Sequence, residues 1–331
     1  MKILISDKLP SAGIDILKGV QEFEVNCQFG ISPSDLKEII KDYDALIVRS
    51  STNVTADIIE VAGKLKFIGR AGVGVDNVDL KAATQKGVVV MNTPSGNTTA
   101  TAEQTMSLIL ALSRNIPQAC ASLKSGKWER SRFVGVELYG KTLGIIGLGR
   151  IGSTVARMAI PFDMKLIGFD PFISRESAEE NGVQLVSLDN LFRQSDFITI
   201  HVPKSTETKS LISDKEFDLM KKDVRIVNCA RGGIIDESAL VRALKSNRIK
   251  GCALDVYESE PPDFDSELFR LDNCITTPHL GAATSEAKLN IAVEIAETIK
   301  NALLGHGISN AINFPSANLA RNIELEAKKG S

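Results

Sequence analysis

TLGIIGLGRIG at Thr142–Gly152, followed after a helix-like run by KLIGFD at Lys165–Asp170, is the stretch whose reading decides the fold. Leu143, Ile145 and Ile146 make a short apolar run that ends on Gly147, Gly149 and Gly152, spaced G-x-G-x-x-G. A second apolar run, Leu166 to Phe169, closes on Asp170. The order is strand, tight turn, helix, strand, acid. Such a unit suits a dinucleotide: Gly147 permits the turn, Gly149 lets the backbone approach a pyrophosphate, and Gly152 lets helix and strand pack closely. The helix N-terminus adds free N–H groups and the positive end of a dipole. Three glycines alone are a weak signal. Here they sit between a strand and a helix, with an acid 18 residues past Gly152. Asp170 can accept from a ribose diol and repels a 2′-phosphate, which favours NAD over NADP. Arg175 nearby is the one residue that argues the other way.

The same alternation extends in both directions. Upstream, strands are expected at Lys2–Ser6, Phe23–Cys27, Ala45–Val48, Phe67–Ile68 and Val88–Met91, with helices between them. Ser32-Pro33-Ser34 opens one of these helices, since proline is tolerated in a first turn. Thr98–Arg114 reads as a long helix leading to the glycine turn, and Ser285–Leu304 as an amphipathic helix leading away from the second half. Strands alternating with helices imply parallel sheets. The fold class expected is α/β, with two Rossmann-like or flavodoxin-like parallel-sheet domains. The nucleotide-binding domain (97–282) is inserted within the substrate-binding one (1–96 and 283–331), and the two connecting helices form a natural hinge. Ile116–Lys141 reads as a long irregular connection around Trp128, and the polar run Ser316–Ser331 as loosely held.

Composition bounds the function. The 331 residues are 24% charged and 43% hydrophobic with a net charge of −2, which points to a globular protein and to no nucleic-acid or membrane partner. Five scattered cysteines, with no C-x-x-C pair, read as free thiols in a reducing compartment and not as a metal site. The chain enters its first strand at once, so a cytoplasmic location is expected.

Chemistry-bearing residues fall at expected strand ends, where open α/β sheets bind ligands. There are three histidines. His306 lies among tail glycines, and a solvated surface position is expected for it. His201, in ITIHVP, is read equally well as a hydrogen-bonded turn residue or as part of a cofactor wall. His279, in TTPHLGAAT, follows a proline and precedes a glycine turn, a better place for a proton donor. Hydride transfer at a carbonyl needs a proton at oxygen, and histidine titrates in the useful range. Glu260, in YESEPP, is the candidate to orient it. Arg231, in NCARGG, offers a planar fork for a carboxylate.

These motifs together carry a resemblance. RAGVGVDNVDL (70–80), VVMNTPSGNT (89–98), IPQACASLKSGKWER (116–130), GKTLGIIGLGRIG (140–152), VNCARGGIIDE (227–237), ALDVYESEPP (253–262) and TPHLGAAT (277–284) resemble the D-isomer-specific 2-hydroxyacid dehydrogenases from Met1 to about Pro315. Within that family the likeness is greatest to the branch that oxidises 3-phospho-D-glycerate with NAD in the first step of serine biosynthesis. The resemblance implies a catalytic triad of Arg231, Glu260 and His279. It implies NAD contacts at Gly147, Gly149, Arg150, Ile151, Gly152, Asp170, Val202, Cys229, Ala230, Arg231, Asp255, His279, Gly281 and Ala282. It also implies a homodimer or larger homo-oligomer formed through Ile116–Lys141. A phosphorylated 2-hydroxyacid needs further cations, and Arg49, Arg70, Gly72, Val73 and Asn97, with Arg231, form the expected substrate set; Arg130 is a further candidate. Many members of the branch continue into serine-binding regulatory domains, so complete catalysis without serine feedback is expected of this chain. Two other readings stand beside this one. A hydroxypyruvate or glyoxylate reductase would make the same transfer without phosphate cations. An NAD-sensing transcriptional corepressor would keep the triad but turn over no hydroxyacid.

Overall fold

The structure is a computed structural model that describes residues 1–313. The polar run expected at Ser316–Ser331 lies outside the described residues. The chain divides into two compact units, one made of Met1–Asn97 and the chain from Thr284 onward, the other of Thr98–Ala283.

The first unit begins β1 (Lys2–Ile5), α1 (Ser11–Lys18), β2 (Glu24–Cys27), α2 (Pro33–Ile39), β3 (Ala45–Val48), α3 (Ala56–Val61), β4 (Phe67–Arg70), α4 (Leu80–Lys86) and β5 (Val89–Met91). The five strands pair in parallel, in the order β2-β1-β3-β4-β5. Every residue of β3 is buried, as a wholly apolar run in a parallel sheet covered on both faces should be. α2 starts where the sequence places it, with Pro33 in the first turn and the Ser32 hydroxyl accepting the Asp35 N–H. In β3 and β4, Val48 pairs with Arg70, so the chain leaves both strands side by side at the sheet's carboxyl edge.

The second unit continues with α5 (Thr98–Arg114), α6 (Ile116–Lys124), β6 (Thr142–Ile146), α7 (Arg150–Ala159), β7 (Lys165–Phe169), α8 (Arg175–Glu180), β8 (Gln184–Leu185), α9 (Leu188–Gln194), β9 (Phe197–Ile200), α10 (Asp214–Leu219), β10 (Arg225–Asn228), α11 (Glu237–Lys245), β11 (Gly251–Leu254) and β12 (Cys274–Thr276). Its sheet is parallel throughout, in the order β12-β11-β10-β9-β6-β7-β8. The chain winds outward from β6 through β7 to β8, then returns to lay β9 on the other side of β6. That reversal is the topological switch point where doubly wound sheets bind ligands. α12 (Ser285–Leu303) then rejoins the first unit, burying Ile291, Ile295 and Ile299 along one stripe.

One expected element differs. Ile116–Lys141 is not wholly irregular: Ile116–Lys124 is helical, and Arg130–Phe133 makes a 3₁₀ turn. Asn115, with φ of 53°, breaks the preceding helix, and a proline in the first turn is tolerated in the next. α6 buries none of its residues, so it carries no inward-facing stripe for a periodicity reading to find.

Candidate active site

The nucleotide cradle forms at the end of β6. Gly147 has a φ of +90°, and a Cβ there would lie 2.7 Å from the His201 carbonyl oxygen and 2.8 Å from Val202 Cγ1. Only glycine makes that turn comfortably. At Gly152 a Cβ would meet the Gly147 carbonyl oxygen at 2.0 Å, so the helix can pack this closely only without one. Gly149 is different, because a Cβ there would find nothing within 4 Å. Gly149 is the N-cap of α7, and no side chain caps the helix end. The open space in front of uncapped N–H groups fits a pyrophosphate. Arg150 is exposed and Ile151 half-buried at this tip.

Asp170, at the end of β7, accepts the Leu148 N–H at 2.8 Å on Oδ2 and the Phe172 N–H at 2.9 Å on Oδ1. It therefore fixes the glycine turn itself, and each oxygen keeps a second acceptor direction for a ribose hydroxyl. Arg175 stands exposed in α8.

His201 ends β9 beside this turn. Its Nε2 shares a hydrogen bond with Thr199 Oγ1 at 2.9 Å, and its Nδ1 is buried without a hydrogen-bond partner. Burial pushes its pKa down to about 3, so the ring is neutral near pH 7 and supplies no proton. Cys229, at the end of β10, is buried, and burial pushes its thiol up to about 12 despite the opposing Thr105 hydrogen bond. It is wall and not nucleophile.

The acid–base groups come together on three successive strand exits. After β10, the Asn228 side chain accepts the Ala230 N–H at 3.0 Å and donates to the Arg231 carbonyl at 2.9 Å, closing the turn that carries Arg231. The Arg231 Nη1 donates to the Ala230 carbonyl at 2.7 Å. A Cβ at Gly232 would stand 1.7 Å from the Tyr257 carbonyl oxygen, so the loop after β10 presses directly on the loop after β11. Glu237 adds a tie between the same two loops, accepting the Glu258 N–H at 2.6 Å.

In the loop after β11, Glu260 Oε1 accepts the Tyr257 N–H at 3.2 Å, and Oε2 meets His279 Nδ1 at 2.6 Å. Burial raises the Glu260 pKa, but the His279 hydrogen bond, the His279 charge, the Tyr257 N–H and the Arg231 charge outweigh it, and the net shift is downward. Glu260 is thus ionised near pH 7 and can only accept. Nδ1 of His279 must carry the proton in that bond, which leaves Nε2 to exchange a proton elsewhere. The side chains of His279 and Glu260 are 46% and 37% exposed, open enough to reach a substrate.

His279 itself has a φ of +53°, uncommon for a residue with a side chain. Asp255 holds it there. This wholly buried carboxylate accepts from the Thr277 hydroxyl at 2.5 Å, the Leu280 N–H at 2.7 Å and the Gly281 N–H at 2.8 Å. Tyr257 adds a hydroxyl bond to the Thr277 carbonyl at 2.9 Å. Three of a carboxylate's roughly four acceptor sites are taken, so Asp255 acts first as the clamp of the histidine loop, a role distinct from the expected cofactor contact. Gly281 is buried behind that clamp and Ala282 is half-buried.

The expected substrate cations lie in the first unit. Arg49 follows β3, and its Nη1 donates to the Lys8 carbonyl at 3.2 Å. Arg70 ends β4, with Nε 3.4 Å from Asn77 Oδ1. A Cβ at Gly72 would fall 1.7 Å from Arg70 Nη1, so the guanidinium lies across that glycine. Val73 holds its carbonyl to the Asn92 amide at 2.6 Å, and Asn97 Oδ1 is buried without a hydrogen-bond partner. The structure thus groups Arg231, Glu260 and His279 in one unit and Arg49, Arg70, Gly72 and Val73 in the other. Sequence reasoning missed Tyr257, Thr277, Glu237 and Asn77. Their signal was proximity to a motif, which says nothing about which backbone group a side chain reaches.

Residues 106–281 match the family model described as D-isomer specific 2-hydroxyacid dehydrogenase, NAD binding domain. The chain belongs to the D-isomer specific 2-hydroxyacid dehydrogenase family, and its cofactor is NAD. A D-3-phosphoglycerate dehydrogenase of Methanocaldococcus jannaschii is 53% identical over 317 residues, covering 96% of this chain and 60% of that protein. One from Synechocystis sp. is 51% identical over 314 residues, covering 95% of this chain and 56% of that protein. The chain thus spans less than two thirds of the length of these curated relatives. Among solved structures, a glyoxylate reductase from Paecilomyes thermophila superposes with a TM-score of 0.87 at 28% identity, covering 94% of this chain and 98% of that one. No helix among the described residues is long and apolar enough to cross a membrane.

Proposed function

We propose that this chain oxidises 3-phospho-D-glycerate to 3-phosphohydroxypyruvate, the step that draws carbon from glycolysis toward serine. The observation that carries this reading is the 2.6 Å His279–Glu260 pair on a clamped loop that shares its backing with the Arg231 turn. NAD, when bound, accepts the hydride from C2. His279 Nε2 takes the hydroxyl proton as that hydride leaves, while ionised Glu260 holds Nδ1–H and stabilises the imidazolium. Arg231 grips the carboxylate and polarises the C2 oxygen. Gly147, Gly149, Arg150, Ile151 and Gly152 hold the pyrophosphate, and Asp170 takes the ribose diol. Arg49 and Arg70 supply cations for a phosphate carrying nearly two charges, and the Asn97 amide adds a neutral hydrogen-bonding group. In this reading Thr98–Ala283 is the NAD-binding domain and the remainder the substrate-binding domain, working in the cytoplasm.

Support for this substrate comes from the two relatives at about half identity, both named as phosphoglycerate dehydrogenases. The glyoxylate reductase likeness favours a second reading, a reductase of unphosphorylated 2-oxoacids. Loss of NADH absorbance with 3-phosphohydroxypyruvate or hydroxypyruvate at matched concentration separates them. The proposal expects a large preference for the phosphorylated acid, and equal rates would defeat it. A homodimer is part of the proposal, because Ile116, Leu123, Trp128, Val134 and Tyr139 are all exposed on one stretch of the NAD unit. Sedimentation showing only monomer would remove that part.

A further inference from the structure

We propose that Asn77 is a positioning residue that joins Arg70 and the Arg49–Thr52 turn into one anion-holding site, and so sets preference for a phosphorylated substrate. This rests on the proposed function above.

The turn is clamped from two sides by uncommon means. On one side, Asp7, only 5% exposed, accepts the Arg49 N–H at 2.5 Å, the Thr52 N–H at 3.2 Å and the Thr52 hydroxyl at 2.9 Å. On the other, the Asn77 side-chain amide donates to the Arg49 carbonyl at 2.7 Å and to the Thr52 carbonyl at 2.6 Å. Its backbone joins in, with the Asn77 carbonyl accepting the Val54 N–H at 2.8 Å. The remaining atom of the amide, Oδ1, faces Arg70 Nε at 3.4 Å. One neutral side chain therefore touches both cation-bearing elements.

Peptide planarity gives this clamp a direction. In a trans peptide the carbonyl and the following N–H point opposite ways. With the Arg49 carbonyl turned to Asn77, the Ser50 N–H of the same plane points away from it, on an exposed residue. The turn is thereby set to present a backbone donor together with Arg49. The amide is needed as a donor: a carboxylate in its place could not donate to two carbonyls. Gly72 completes the arrangement by leaving the space that Arg70 Nη1 occupies.

The test compares two substrates in one protein preparation. Initial rates with NADH are measured for wild type, Asn77→Ala and Asn77→Asp, using 3-phosphohydroxypyruvate and hydroxypyruvate. Wild type is expected to prefer the phosphorylated acid. Both variants should lose about tenfold or more in kcat/KM for it, chiefly through KM, and change less than about threefold with hydroxypyruvate. NADH affinity should be unchanged. A wild type without the preference overturns the proposed function, and this inference with it. A wild type with the preference and variants that keep it overturn only the role of Asn77. Equal losses on both substrates, or failure of both variants to fold, would make Asn77 a general structural residue and also overturn it.

Discussion

Arg70 and Arg231 occupy matching places in the two units, and what surrounds them differs. Each stands at the exit of a parallel strand, near a glycine whose missing Cβ leaves less than 2 Å to a neighbour: Arg70 Nη1 itself at Gly72, and the Tyr257 carbonyl at Gly232. Around Arg70, the Asn77 side chain is a partner shared with the Arg49–Thr52 turn. Around Arg231 the fixing group is also an asparagine, Asn228, but the next loop carries the Glu260–His279 pair. A cation beside an ionised carboxylate and an imidazole becomes part of a proton-handling set. In the proposed reading, the same strand-end architecture serves binding in one unit and chemistry in the other.

That contrast breaks most sharply at His279. His279→Ala should lower kcat by about 10²–10⁴-fold, the usual worth of positioned acid–base catalysis, while calorimetry still detects NAD binding. Near-normal turnover would remove the proton-transfer role. Next comes Glu260→Gln, whose amide can donate to the histidine ring and so favour the wrong tautomer. A loss of about 10–10³-fold in kcat is expected, with KM for the phosphorylated acid little changed. A loss confined to KM would place Glu260 in binding instead.

The Glu260 shift also sets a pH dependence. Its folded pKa lies below the ordinary carboxylate value, so its pairing stabilises the fold above that ordinary value, near 4.3, and the contribution fades as pH falls through the lowered folded pKa. Melting curves of wild type and Glu260→Gln should therefore converge in acid and separate toward neutral pH. Parallel curves over the whole range would contradict the assignment.

On the binding side, Gly72→Ala should displace the Arg70 guanidinium and strain a backbone at φ of +146°. KM for 3-phosphohydroxypyruvate should rise by about tenfold with kcat nearly kept, and stability should fall by about 1–3 kcal/mol. An unchanged KM would mean that Arg70 is not part of the anion site. The smallest effect concerns the thiols. Cys27 is exposed and lies outside the proposed dimer stretch, whereas burial pushes Cys229 and Cys274 up to about 12. Brief alkylation near pH 7.5 should label Cys27 before Cys229 and Cys274 and leave turnover within about twofold. Loss of activity in step with labelling of Cys229 would show that its burial is not maintained in solution.

Much of this was legible in the residues. The strand–glycine turn–helix–strand of Thr142–Asp170 is local, and local patterns of apolar residues and glycine survive in sequence. Arg231, Glu260 and His279 stand out because each lies beside a glycine or proline in the loop after a strand. α6 was read as irregular because it packs nothing inward. Asp255 is expected as a cofactor contact; its three side-chain hydrogen bonds run to residues at least 22 positions away, a clamp that no local pattern records.

The sequence by itself determined the alternation of strands and helices, the nucleotide cradle and the residue types available for hydride chemistry. These depend on spacing within about 30 residues, where helix and strand periods write themselves into the chain. Only the tertiary structure decided that Asp255 clamps the His279 loop, that His201 is too buried to act as an acid, and that Asn77 bridges Arg70 and the Arg49–Thr52 turn. Each of those depends on strands distant in sequence ending side by side, and on burial that shifts a proton's affinity. Both arise only once the sheets have formed.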